Sequence, residues 1–274
     1  MIRLVAIDLD GTLFDNNKKI SERNRNAIRK AREKGVQVII CTGRPLKAIE
    51  EVVQELELDQ PGDYSITFNG GYIQKNDTGE VLHQLTLSKE EVMEMYRIGH
   101  RYGLPVDVVS GAVVYSLMPT IDNRPSLYRH MNRFLTNVEC TPEQLPENQR
   151  YNKVLFSQEP DYIQSRIAQV LPVFQSSYST MQTQHFLYEI AADGVQKGEG
   201  LRFLSDYLHI PAAEMMAIGD EENDLSMLEY AGVGVAMGNA RDEVKQVSQF
   251  ITETNENDGV ALAIERYILN EGEE

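Results

Sequence analysis

Short unbroken apolar runs alternate with stretches of helical period over residues 3–69. The runs RLVAIDL (3–9), VQVIICT (36–42) and YSITFN (64–69) show no polar alternation, which predicts strands of a parallel sheet covered on both faces. Between them, SERNRNAIRKAREKG (21–35) predicts a helix that stops at Gly35. RPLKAIEEVVQELEL (44–58) predicts a second, with Pro45 suited to its first turn. The alternation returns near the other end. KGEGLRFLSDYLHI (197–210), DLSMLEYAG (224–232) and RDEVKQVS (241–248) read as helices, and MMAIGD (215–220), VGVAM (233–237) and FIT (250–252) as strands.

The middle has a different rhythm. Strands become amphipathic and aromatic, and turn residues are denser. AVVYSL (112–117), NKVLFS (152–157) and HFLYEI (185–190) read as strands, and DNRPSLYRHMNRFL (122–135) and EPDYIQSRIAQVL (159–171) as helices. Ser88 and Glu91 have capping-box spacing at the head of a further helix. The expected fold class is therefore α/β, a doubly wound, mostly parallel sheet over 1–83 and 187–274, with an α+β domain inserted at 84–186.

Composition narrows the functional classes. The chain has 274 residues, 42% of them hydrophobic and 25% charged, as in ordinary globular proteins. No stretch reaches the ~18 apolar residues of a membrane span. The start MIRLVAIDLD lacks the basic region and cleavage site of a signal peptide and reads as a first strand. Two cysteines, Cys41 and Cys140, form no CxxC pair and no disulfide framework, which points to a reducing cytoplasm. A net charge of −16 argues against a nucleic-acid surface. It also means that any anion site must carry its own local positive charge. The acidic end NEGEE (270–274) reads as a frayed tail.

Four groups of polar residues fall at or near strand ends, where ligands bind in doubly wound sheets. Asp8 and Asp10 follow an apolar run and, two residues apart, point to one side, with Leu9 facing away. Two close carboxylates require a shared proton or a cation. Gly11 and Thr12 add backbone N–H groups in a tight turn, although Asp and Gly also suit a solvated turn. Thr42 and Gly43 precede a predicted helix and could seat an anion or merely cap it. Cys41 lacks the spacing of a phosphatase thiolate loop and reads as core. Lys197 opens a predicted helix, where a cation opposes the dipole unless an anion answers it; the plain reading is an exposed lysine. Asp220 and Asp224, one helical turn apart in IGDEENDLSML (218–228), suit either a capped loop or a hard, oxygen-preferring cation. The five histidines are scattered and match no zinc spacing.

In this order, DLDGT (8–12), TGRP (42–45), KG (197–198) and GDEEND (219–224) resemble the four motifs of the haloacid dehalogenase superfamily, and within it the Cof-type sugar phosphatases. NGGYIQ (69–74) and EYAGVGVAM (229–237) resemble the usual flanks, so the likeness runs along essentially the whole chain. The resemblance implies a Rossmann-like core with an inserted cap that selects the leaving group. It implies Asp8 as nucleophile and Asp10 as general acid and base, keeping a proton free of direct salt bridges. Mg²⁺ would be held by Asp8, the Asp10 carbonyl and Asp220, with Asp224 orienting that set from behind. Thr42, Gly43, Lys197 and Asn223 would hold the phosphoryl group, together with the Leu9 position, and Arg44, Asn69 and Gly70 would line the substrate side. The partner implied is a small phosphorylated metabolite such as a sugar phosphate, with no nucleic acid and no membrane. Asp193 and Gln196 depart from the usual family residues before Lys197. A receiver-type phosphoacceptor uses similar residues but fits the motif order badly. A sugar phosphomutase on the same scaffold and a non-enzymatic phosphosugar sensor compete with the phosphatase reading.

Overall fold

The computed structural model describes residues 1–118, 120, 124–131 and 134–270. The chain opens with β1 (Leu4–Ile7), α1 (Glu22–Glu33), β2 (Gln37–Cys41), α2 (Glu50–Glu55), β3 (Tyr64–Thr67), β4 (Tyr72–Lys75) and β5 (Val81–Gln84). Then come α3 (Lys89–Arg101), β6 (Val106–Ser110), β7 (Val113–Leu117), β8 (Thr136–Cys140), β9 (Lys153–Ser157), α4 (Pro160–Phe174), β10 (Tyr178–Gln184) and β11 (Leu187–Ala192). It closes with α5 (Lys197–Leu208), β12 (Met215–Gly219), α6 (Leu225–Tyr230), β13 (Val233–Ala236), α7 (Asp242–Val247), β14 (Phe250–Ile251) and α8 (Gly259–Ile264).

Two compact units result, Met1–Gln84 with Gln196–Glu274, and Leu85–Val195. The first holds an eight-stranded sheet in the order β14-β13-β12-β1-β2-β3-β4-β5. From β14 to β3 the strands are parallel; β4 and β5 add an antiparallel edge. β1 lies between β12 and β2, and all four of its side chains have no solvent exposure. Burying each large aliphatic of this kind contributes about 1.5–3 kcal/mol, which explains why the central strands read as continuous apolar runs. α1 packs on α8 and β2, while α5 packs on α6 and β3. Ser21 caps α1 by accepting from the Asn24 N–H at 3.1 Å.

The second unit holds a six-stranded sheet, β10-β11-β9-β6-β7-β8, antiparallel except for the β7–β8 pair. Val106 and Val108 face a core shared with Val92, Met95, Ile163 and Ile167 of α3 and α4. Ser88 and Glu91 form the expected capping box on α3.

The structure departs from the sequence expectations at definite points. The second boundary falls at 195/196 rather than 186/187. Leu187–Ala192 pairs with β9 and β10 and so belongs to the six-stranded sheet. The strand expected at 185–190 is shifted by two residues, because β10, with its polar TMQTQ sequence, turns back on it through His185 and Phe186. The helix expected over 44–58 is a 3₁₀ turn at Leu46–Ala48 followed by the short α2. Ile49, fully buried with φ −122° and ψ 4°, interrupts the helical path, and Glu57 at φ 56° ends it. Of the helix expected at 122–135, residues 122, 123, 132 and 133 lie outside the described residues, and Tyr128–His130 form a 3₁₀ turn. The tail expected at 270–274 lies outside them beyond Asn270.

Candidate active site

The carboxyl ends of β12, β1, β2 and β3 lie side by side and deliver Asp220, Asp8, Thr42 and Asn69. Asp8 continues β1 by donating its N–H to the Ile218 carbonyl at 3.1 Å. Its carboxylate is buried and accepts from Lys197 Nζ at 2.6 Å. The same ammonium donates to Asp224 Oδ1 at 2.5 Å. Lys197 has no solvent exposure and stands at the first position of α5, so these carboxylates are the anions that offset its unfavourable place on the helix dipole.

The other Asp224 oxygen, Oδ2, accepts the backbone N–H groups of Asp220 and Glu221 at 2.9 and 3.0 Å. Asp224 therefore fixes the loop that carries Asp220. Asp220 Oδ1 in turn accepts from the Thr12 hydroxyl at 2.7 Å. Gly11, at φ +83°, leaves no room for a Cβ beside the Asp220 carboxylate, and only glycine suits both demands. One carboxylate oxygen from each of Asp8, Asp220 and Asp224 lies within 4.8 Å of the others.

This packing perturbs ionisation. Burial pushes the Asp8 carboxyl well above the usual range; Lys197 opposes the shift, and Asp224 and Asp220 reinforce it. Burial likewise pushes Asp220 up to about 7, against the Thr12 hydrogen bond and with help from Asp224 and Glu221. Burial alone would lower the Lys197 pKa, but Asp224 and Asp8 drive it upward. Three carboxylates thus face one ammonium. All the donors are hard oxygens, and the surplus of negative charge suits a divalent cation of the magnesium class.

Asp10 behaves differently from the expectation. Rather than keeping a proton free of salt bridges, it is bound by two cations. Arg44 donates Nε to Oδ2 at 2.8 Å and Nη2 to Oδ1 at 2.6 Å, and Lys18 Nζ reaches Oδ1 at 2.7 Å. Burial raises its pKa, but the hydrogen bonds and charges of Arg44 and Lys18 outweigh that and hold the carboxyl below its ordinary value. Its side chain, 42% exposed, is also apart from the Asp8, Asp220 and Asp224 set. Arg44 also stacks over the Phe14 ring at 5.4 Å.

The remaining residues form a second connected group. The Thr42 hydroxyl accepts the Arg44 N–H at 3.2 Å and the Thr42 carbonyl accepts the Asn69 N–H at 3.0 Å. No α-helix starts directly after Thr42, so a helix N-terminus does not supply its anion seat. Asn69 adopts φ 57°, and its side-chain oxygen accepts from Asn223 Nδ2 at 3.0 Å. Gly43 lies against the Asn69 side chain, and Gly70 lies so close to the Gln196 carbonyl that no Cβ fits. Leu9 faces away from the carboxylates as expected, and the open Thr12 donor is corrected. Leu9 is a fully buried core side chain, so only its backbone can face a ligand. The Thr12 N–H bonds back to the Leu9 carbonyl at 3.3 Å and is not an open donor. Cys41 is fully buried, with its thiol pKa pushed up by burial, in keeping with a core role.

Sequence reasoning missed Lys18, the side-chain role of Thr12, and Asn239. Asn239 donates to the Gly11 carbonyl at 2.8 Å and accepts the Asn255 N–H at 2.9 Å. Only the Asn-rich turn signal in FDNNKK (14–19) hints at Lys18. Asp15 accepts the N–H groups of Asn17 and Lys19 at 2.8 Å each, which folds Lys18 back over Asp10.

The chain belongs to the haloacid dehalogenase-like hydrolases, whose family pattern it matches over residues 5–264. It is therefore an enzyme of that hydrolase family. It is 33% identical over 267 residues to the 5-amino-6-(5-phospho-D-ribitylamino)uracil phosphatase YitU of Bacillus subtilis, covering 96% of this chain and 97% of YitU. It is 32% identical over 272 residues to the phosphatase YcsE of the same organism, which carries the same substrate in its name, covering 98% and 96% of the two chains. Among solved structures, it resembles a haloacid dehalogenase-like hydrolase from Bacteroides thetaiotaomicron with a TM-score of 0.84 and 29% identity, over 97% of this chain and 99% of that one. Among the described residues no helix is long and apolar enough to cross a membrane.

Proposed function

We propose that this hydrolase is a Mg²⁺-dependent phosphomonoesterase that releases phosphate from small sugar phosphates or related metabolites through an aspartyl-phosphate on Asp8. The observation that carries this reading is the buried Asp8–Lys197–Asp224 contact, with Asp220 beside it and Asp10 held separately by Arg44 and Lys18. Asp8 and Asp220 side chains with the Asp10 carbonyl would hold the metal, and Asp224 would orient them through Lys197 and the 220–221 backbone. The metal, when bound, supplies charge stabilisation to the phosphoryl oxygens.

The chain's own groups divide the remaining work. Lys197 favours the ionised Asp8 that a nucleophile needs and so offsets part of the rise that burial and two like charges impose on it. Thr42, Gly43 and Lys197 hold the phosphoryl oxygens, with Asn223 positioned through Asn69. Asp10 transfers a proton to the leaving oxygen and then takes one from water. Before it can donate, its carboxylate must take up a proton from solvent and give up part of the Arg44 and Lys18 contacts. The unit at 85–195 serves as the cap that selects the leaving group. The substrate carried in the names of two relatives favours a phosphorylated ribityl-pyrimidine as the first candidate within this class.

The test is phosphate release from a panel of sugar phosphates and 5-amino-6-(5-phospho-D-ribitylamino)uracil, with Mg²⁺ or EDTA, for wild type and Asp8→Asn. Metal-dependent release lost in Asp8→Asn supports the reading. Transfer of phosphate within the sugar supports a mutase instead, and tight binding without turnover supports a sensor.

A further inference from the structure

The unit at 85–195 contains a buried carboxylate with no hydrogen bond. Asp107 lies in β6, directly across from Ser116 of β7, on the sheet face opposite Val106 and Val108. It has no solvent exposure, and neither carboxylate oxygen has a hydrogen-bond partner. Ser116 Oγ and Thr120 Oγ1 are also buried without partners. Buried polar atoms of native proteins are nearly always satisfied, and such a cluster points to an occupant.

Asp107, Ser116, Thr120, Ser126 and Arg129 line one small cavity between Pro105 and Pro125. Its free space, about 10 Å³, is that of a single water-sized occupant. The hydroxyls of Ser126 and Ser116 lie near enough to favour the charged carboxylate in part, and Ser126 Oγ also accepts the Tyr128 N–H at 3.2 Å. The Arg129 guanidinium contributes in the same sense, but its Nη2 is committed to Glu139 at 2.6 Å.

We propose that this cavity is a site for one monovalent, oxygen-seeking cation of the sodium or potassium class. The Asp107 carboxylate and the hydroxyls of Ser116, Thr120 and Ser126 supply its ligands. The lining side chains nearest Asp107 offer oxygen atoms, which hard cations prefer. With the Arg129 charge answered by Glu139, the Asp107 carboxylate is the one charge left to match among the described lining residues, which suits a single positive charge. The space excludes an organic ligand, and it excludes a divalent ion that keeps its waters. A bound cation joins β6, β7 and the segment around Ser126, and so stabilises this unit independently of the catalytic site.

Thermal unfolding of the full-length, Mg²⁺-saturated protein tests the site, with NaCl or KCl titrated against choline chloride at constant ionic strength. A saturable rise in Tm specific to one of the metal ions is expected for wild type, with loss in Asp107→Asn. Ser116→Ala keeps the carboxylate and should raise the half-saturating concentration several-fold. Thallium(I)-soaked crystals of the wild type should show anomalous density beside Asp107. A Tm that responds equally to choline, or a metal-ion response unchanged in Ser116→Ala, with no thallium density, overturns the proposal and leaves a protonated carboxyl beside a water. If Asp107→Asn does not fold, the Ser116→Ala titration and the thallium density decide alone.

Discussion

Lys153 and Lys197 are both buried, each in a different unit, and the comparison separates a balanced ion pair from the unbalanced charge of the candidate site. Lys153 on β9 donates at 2.8 Å to each oxygen of Glu189 on the neighbouring β11. Both side chains are 7% exposed, and in this pair one carboxylate faces one ammonium. Burial would lower the Lys153 pKa, but Glu189 drives it upward. Lys197 instead faces Asp8 and Asp224 at once, with Asp220 close by. Its surroundings retain negative charge after every protein contact is made. A charge-balanced pair leaves little field for a further ion, whereas the three-carboxylate cluster is one that could hold a metal ion.

The largest effect should come from Asp8→Asn, which removes the proposed nucleophile and keeps the shape. Phosphate release should fall by about 10⁴-fold or more while the fold persists by circular dichroism. Lys197→Met should lose both activity and stability, because two buried carboxylates lose their ammonium. Breaking such a pair costs about 3–5 kcal/mol in urea unfolding. Lys153→Met should cost a similar amount of stability, but activity per folded molecule should change far less. The double variant Lys153→Met/Glu189→Leu should recover most of the loss, since a balanced pair can be replaced by apolar packing. Failure of the double variant to recover would show that this pair, too, serves a ligand.

The members of the candidate site were not equally legible in the sequence. Asp8 and Asp220 stand out because acids directly after a buried apolar strand demand a reason. Lys197 has no such local signature; only the order of motifs singles it out, since its meaning depends on Asp8, 189 residues away. The sheet at 85–195 was harder to read because its strands alternate and its edges are polar, so β8 and β10 look like loops. Lys18 and Asn239 reach the site through turns whose paths are set by Asp15 and Asn255, a tertiary fact no spacing encodes.

Proton linkage sharpens the contrast further. In metal-free protein the folded-state pKa of Asp220 is pushed up to about 7 by burial, above its value of 3.8 when unfolded. The folded state then binds the proton more tightly, so this group destabilises the fold above pH 7, and the penalty fades as pH falls toward 4. Mg²⁺ needs the ionised carboxylate. The gain in Tm on adding Mg²⁺ over EDTA should therefore be largest near pH 8 and shrink toward pH 6. The smallest effect should come from Lys18→Met, which leaves Arg44 on Asp10. Since Arg44 and Lys18 together hold the Asp10 carboxyl down, losing one should move upward in pH whichever limb of kcat Asp10 sets, the alkaline limb as donor or the acidic limb as base, and Lys18→Arg should restore it.

Calorimetric titration of Mg²⁺ into metal-free protein at pH 8, wild type against Asp220→Asn and Lys153→Met, addresses the unbalanced charge most directly. One saturable site in wild type and Lys153→Met, lost or strongly weakened in Asp220→Asn, is the predicted result. Equal binding in all three, or none in wild type, would contradict the assignment of the Asp8–Asp220–Asp224 cluster as the metal centre.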